Sequence, residues 1–239
     1  MPRPFERWTV LPHGKLAKIG DNLMTVVGVI QMPLMKLPRR MTVVRLADSN
    51  LVVWSAIALD EPGMAEIESF GRPAYLVVPG ARHRLDAKIW KDRYPSLTVV
   101  APAGARAVVA KLVPVDMVDP HFDDPNVQFT TLRGTGDWEA ALIVRSGNVT
   151  TLVLNDIVGN IDDASGVGGW LLGIAGFAGN KPQIPRVVKR GLVKDPDALR
   201  AQFLKWAEIE SLQRILVSHG SPVETDARAT LRDLARSLE

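Results

Sequence analysis

Residues 74–95, AYLVVPGARHRLDAKIWKDRYP, govern the reading of the rest of the chain. The run 74–78 has the length and apolar content of a buried strand. Pro79-Gly80 ends it as a turn dipeptide. A lone histidine, His83, follows in the loop. Residues 87–93 are helix-like and stop at Tyr94-Pro95. In layered α/β proteins, ligands bind where strands end and helices begin. His83 is therefore a candidate metal ligand or acid/base.

Working outward, the preceding segment is strand-rich. Residues 24–30, 41–46 and 51–57 are short and apolar, with Asp48-Ser49-Asn50 as a hairpin turn, so the first 60 residues read as an antiparallel meander. Residues 61–70 carry Met64, Ile67 and Phe70 at helical spacing and end at Gly71. The segment from 74 onward continues as strand 74–78, helix 87–93, strand 97–101 and helix 103–112, a βαβα unit. A second strand-rich block follows at 127–132, 140–145 and 150–154. A helix starts at Asp195-Pro196, an N-cap with proline in the first turn. The last strand is 214–217 and the last helix runs from about 226 to 238. The order is β-rich, α/β, β-rich, α/β. It predicts an α+β chain of two sheets face to face with helices outside, one domain over 1–239.

Composition fits this reading. Of 239 residues, 46% are hydrophobic and 23% charged, enough to fill a core. The net charge is +3 without any Lys/Arg block, so no nucleic-acid partner is expected. The absence of cysteine excludes disulfides, thiolate metal sites and a cysteine nucleophile. The stretch 167–178 is apolar but shorter than the ~20 residues that span a bilayer. No stable membrane insertion is expected, and a cytoplasmic location is. The Gly-rich, apolar segment 166–179 reads as a packed element, or else as a lid over an apolar pocket or a patch for a membrane or partner.

Three predicted strands end at residues able to bind metal. The first leads to His83, the second to Asn155-Asp156, and the third to Ser218-His219-Gly220. Imidazoles and carboxylates converging from separate strands suit zinc or iron. No nucleophile elbow, P-loop or dinucleotide fingerprint occurs. His13 and the 119–124 loop, with His121, Asp123 and Asp124, are weaker candidates.

The order and spacing of these segments resemble the metallo-β-lactamase superfamily, a four-layer αββα sandwich of metallohydrolases. Its wording at 41–61 and 75–102 resembles an uncharacterised branch with a degenerate metal motif. The family motif, His-x-His-x-Asp-His, lies before a Tyr-Pro-like helix end. Aligned on Tyr94-Pro95, its last histidine is His83, and its other three ligand positions hold Val78, Gly80 and Arg82. The next ligand position holds Asp137. The bridging aspartate matches Asp156, and the final histidine matches His219. The resemblance thus implies loss of the first metal site, because Val78 and Gly80 offer no lone pair.

At the second site His83, Asp156 and His219 survive, with Asp86 or Asp137 as substitute ligands. Arg82 stands where an acid is expected, and is a candidate for binding a substrate anion. Beside a minor third reading, in which Arg82, His83 and His219 hold a phosphate or carboxylate without metal, two outcomes follow. One is a hydrolase with a single zinc or iron ion, acting on a small-molecule substrate. The other is a metal-free, inactive relative that binds a ligand or partner, with an Arg82–Asp156 ion pair filling the site. The substrate and the oligomeric state are not specified by the sequence.

Overall fold

The computed structural model describes residues 3–32, 35–161, 176, 179 and 181–239. The N-terminal meander forms as β1 (Ala17–Gly20), β2 (Leu23–Met32), β3 (Met35–Arg45) and β4 (Asn50–Trp54), each antiparallel to the next. Its tight turn uses Ser49 at φ 67°, with Asp48 accepting from the Asn50 N–H at 2.9 Å. Two parallel strands, β5 (Arg72–Val77) and β6 (Thr98–Val100), complete a sheet ordered β1-β2-β3-β4-β5-β6. The crossovers carry α1 (Glu61–Phe70) and α2 (Ala87–Arg93). Asp60 caps α1 by accepting from Gly63 N–H at 3.0 Å, and Pro62 occupies its first turn, where a missing N–H costs nothing.

The second sheet comprises β7 (Val127–Thr131), β8 (Ala140–Ser146), β9 (Val149–Asn160) and β10 (Leu212–Gly220), ordered β10-β9-β8-β7. Only β9 and β10 run parallel. Around the sheets lie the short α3 (Arg106–Val109), then α4 (Arg186–Gly191), α5 (Pro196–Ala207) and α6 (Ala227–Arg236).

Side-chain alternation sorts the core into three slabs. In β4, Leu51 and Val53 face α1 and α2, whereas Val52 and Trp54 face the other sheet. In β9, Leu152 and Leu154 face the outer helices, and Val153 faces inward. Period-two patterning places successive side chains on opposite faces. The middle slab holds Leu23, Trp54, Val77, Phe129, Leu142, Val153 and Leu216. One outer slab packs Trp90, Met64 and Ile67 under the first sheet, and the other packs Phe203, Trp206 and Leu231 under the second. The layers are helix, sheet, sheet, helix, as the sequence predicts.

Three departures bear on function. The helix expected over 103–112 is one four-residue turn at Arg106–Val109 flanked by looser turns. Strand β3 begins at Met35 and runs through Pro38, which a proline-averse reading stops short of. Strand β9 does not end at Leu154 but continues to Asn160, so Asp156 lies within it. After a first shift between Leu212 and Arg214, pairing with β10 is regular from Thr151↔Arg214 to Leu154↔Val217 and resumes at Gly159↔His219. Four β9 residues therefore face one residue of β10, a bulge of the kind that re-aims side chains beside active sites. Of the apolar segment 166–179, only Gly176 and Gly179 are described, so the expectation of a packed element, lid or patch lies outside the described residues.

Candidate metal centre

The bulge in β9 aims Asp156 at two histidines from different parts of the chain. His83 sits in the loop after β5, and its Nε2 is 2.9 Å from Asp156 Oδ1. His219 lies near the end of β10, and its Nε2 is 3.1 Å from the same oxygen. One ligand atom from each of the three residues lies within 4.8 Å of the others, a separation that a single ion can bridge. All three side chains are buried, His83 being 7% exposed.

The far nitrogen of each ring is also held. Ser55, just past β4, places its Oγ 2.7 Å from His83 Nδ1. Its backbone is left-handed, at φ 54°, a strained setting for a residue with a Cβ. The Nδ1 of His219 lies 2.7 Å from the carbonyl oxygen of Pro38 on β3. A carbonyl only accepts, so His219 donates from Nδ1. In a neutral ring the Nε2 lone pair then faces the Asp156 carboxylate, which repels unless a proton or a cation lies between. Such outer contacts are how metal-binding histidines are commonly oriented. The donor set therefore fits a zinc- or iron-type ion.

Without an ion, protons serve this electrostatic role. Burial favours neutral forms, yet the His83 and His219 rings hold the Asp156 carboxyl well below its usual range. Burial also opposes the charged form of His219, but its bond to Asp156 and that charge win and raise its pKa. For His83 burial dominates, and its pKa falls. The directions favour the charged form of Asp156 and make His219 the more basic of the two rings.

Arg82 points at the same carboxylate. Its Nη1 is 3.7 Å from Asp156 Oδ2, and its side chain is 47% exposed, so it has room to swing away. Asp86 and Asp137 are not gathered into this cluster. Asp86 is buried in an ion pair with Arg39 and accepts from the Ala58 N–H at 3.0 Å. Asp137 occupies an exposed turn at φ 61°, with its carbonyl accepting from Gly104 N–H at 2.8 Å. The weaker candidates also lie elsewhere. His121 and Asp123 pair on the surface at 2.9 Å, Asp124 caps backbone N–H groups, and His13 hydrogen-bonds near Asp60.

Glu139 is a site residue without an obvious sequence signal. It is 3% exposed, and its Oε1 accepts from Asn155 Nδ2 at 3.4 Å. Its Oε2 has no hydrogen-bond partner among the described residues. Burial first, and then the charge on Asp156, push its pKa well up, which favours its neutral form. A Cβ on Gly80 would lie 2.3 Å from Oε1, so the carboxyl occupies the space that a side chain at position 80 would take. Ser55 and Pro38 also go unmarked in the sequence, where they look like a strand-end serine and a strand-breaking proline.

Beside the cluster opens a cavity of about 310 Å³. Apolar side chains, among them Ile30, Leu37, Leu85 and Val187, form much of its wall, and Arg82, His83, Asp156 and His219 border it.

This layered architecture with its metal-type cluster is that of a metallo-β-lactamase-fold protein. The chain superposes on a crystal structure of DIM-1 metallo-β-lactamase exposed to ceftazidime, with a TM-score of 0.65 and 13% identity over 97% of this chain and 100% of that one. The FIM-1 enzyme from Pseudomonas aeruginosa, in its mono-zinc form, gives 0.62 and 12% over 95% and 96%. A metallo-β-lactamase from Hirschia baltica gives 0.61 and 11% over 94% and 98%. At such identities the likeness establishes the fold. The chain matches no protein-family model, and no curated protein matches it by sequence.

Proposed function

We propose that the protein is a divergent metal-dependent hydrolase that binds one zinc or iron ion through His83, Asp156 and His219. The supporting observation is that both histidines turn Nε2 toward one Asp156 oxygen while Ser55 and Pro38 hold their other nitrogens. An ion held there would supply a Lewis acid and an activated water. The chain's own part is orientation. Ser55 and Pro38 fix the rings, and the β9 bulge presents the carboxylate. The apolar wall limits access of bulk water to a small-molecule substrate. In this reading Asp86 holds Arg39, Asp137 is a turn residue, and neither is a ligand. The mono-zinc form of FIM-1 is a precedent in the fold for a single ion.

A second reading has its own support in the ion pair of Arg82 with Asp156. In it the guanidinium and the protonated His219 replace the ion, and the site binds ligands without hydrolysing them. Elemental analysis of protein purified without chelators or metal-affinity tags separates the two. One mole of zinc or iron per mole supports the hydrolase. Less than about a tenth of a mole, unchanged by added zinc or iron, sinks it.

A further inference from the structure

The cavity beside the cluster has a chemistry of its own. Its volume, about 310 Å³, lies at the lower end of the ~300–1,000 Å³ common for small-ligand sites. Ile30, Leu37 and Leu85 give it an apolar wall, and Val187 lies on that wall with 49% of its surface exposed. Three guanidiniums border it, from Arg39, Arg82 and Arg84. Arg39 is neutralised by Asp86 behind it, and Arg84 donates to the Val108 carbonyl at 2.9 Å. Arg82 is bound only loosely to the cluster, at 3.7 Å from Asp156, whereas Arg39, whose charge also reaches both histidines, is held by Asp86. Among the described lining residues Asp156 is the one carboxylate, set against the guanidiniums of Arg39, Arg82 and Arg84.

We infer that the cavity takes a small amphiphilic carboxylate, with its apolar chain along Ile30, Leu37, Leu85 and Val187 and its carboxylate on Arg82. The inference rests on the one-ion reading for its chemistry. An ion that claims Asp156 removes the counter-charge of Arg82 and frees the guanidinium for substrate. Arginine suits the task because its planar fork matches a carboxylate with two parallel N–H bonds. With Arg39 paired to Asp86 and Arg84 turned onto the Val108 carbonyl, one guanidinium fork is left for the ligand, and it matches the two oxygens of a carboxylate.

The test uses octanoate as the probe, titrated calorimetrically into the full chain with and without added zinc. Octyl phosphate, 1-octanol and acetate serve as comparison ligands, and the zinc content of every sample is measured in parallel. The expected order is octanoate tightest, with octanol and acetate each weaker by about tenfold or more, as expected for loss of a charge-assisted bond or of apolar burial. Arg82→Gln should cost octanoate about tenfold without lowering the zinc content, and added zinc should strengthen octanoate binding to the wild type. The exposed Val187→Ser should weaken octanoate and leave acetate unchanged.

Octanoate affinity indifferent to Arg82→Gln overturns the inference while leaving a zinc-loaded centre intact, and so does octanol binding as tightly as octanoate. Octyl phosphate binding well above octanoate overturns the choice of carboxylate. A chain that takes up no zinc, yet binds octanoate through Arg82, overturns the one-ion reading and upholds the assignment of the cavity.

Discussion

Replacing Asp156 by asparagine removes the charge around which the centre is arranged. The asparagine keeps the size and one acceptor oxygen, so packing in the β9 bulge changes little. What is lost is the carboxylate charge facing His83 at 2.9 Å, His219 at 3.1 Å and the Arg82 guanidinium at 3.7 Å. Breaking a buried ionic group in this way costs about 3–5 kcal/mol, and the isosteric replacement argues for the lower end, about 3 kcal/mol in metal-free protein at neutral pH. With a urea dependence of about 3 kcal/mol per molar, the unfolding midpoint moves down by about 1 M. The carboxyl is held below its ordinary value in the folded state. Its contribution is therefore complete above the unfolded value of about 3.9 and is lost as pH falls toward the folded one. The gap between wild type and variant should be largest near pH 5 to 6, where the charged His219 also depends on Asp156, and then close by about 1.4 kcal/mol per unit below about pH 4. Urea titrations of chelator-treated protein across that range measure this directly. A gap under about 1 kcal/mol at neutral pH, or one that stays constant to about pH 3, refutes the assignment of Asp156 as the ionised hub.

Other perturbations probe the same centre. The raised pKa of His219 means that its charged form stabilises metal-free protein below about pH 6.5 and that this is lost as pH rises through the folded value, so the stability cost of His219→Gln should shrink on the alkaline side. Ser55→Ala removes the bond to His83 Nδ1 and should weaken zinc binding about 10–100-fold, read by competition with a chromogenic chelator, with the fold retained. Arg82→Asp replaces a cation beside Asp156 with an acid and should tighten zinc binding by at least about tenfold in the same assay. Gly80→Ala drives a Cβ into the Glu139 carboxyl and should cost about 1–3 kcal/mol; much of that cost should vanish in a Glu139→Ala background, where a double-mutant cycle reads the coupling.

The layers were legible because the strands carry period-two or fully apolar runs and the helices announce their caps. Asp60 before α1 and Asp195 before α5 cap their helices through side-chain bonds. The sequence also marked His83, Asp156 and His219, because each follows an apolar strand core. What it hid were consequences of pairing between distant strands. Pro38 stands in β3 opposite Val29, and its value lies in a carbonyl offered to His219, more than 180 residues later in the chain. The bulge that aims Asp156 exists only in the register of β9 against β10. Asp86 looked available as a ligand because Arg39, its partner, comes 47 residues earlier.

Glu139 joins these threads. Its carboxyl, buried against Gly80 and tied to Asn155, fills space next to Asp156 that a larger residue at position 80 would claim. Val78 and Gly80 remove the donors that the resemblance assigns to a first ion, and a cavity there would cost stability in proportion to its volume. The Glu139 side chain fills that volume. Its orphaned Oε2 costs free energy, but protonation lowers that cost by sparing a second buried charge beside Asp156. The packing on one side of Asp156 is thus closed, and what remains open is the side bordered by His83, His219 and Arg82, where the cavity meets the cluster. A centre closed on one side and open on the other suits one ion in place of two, and it directs substrate to approach past Arg82.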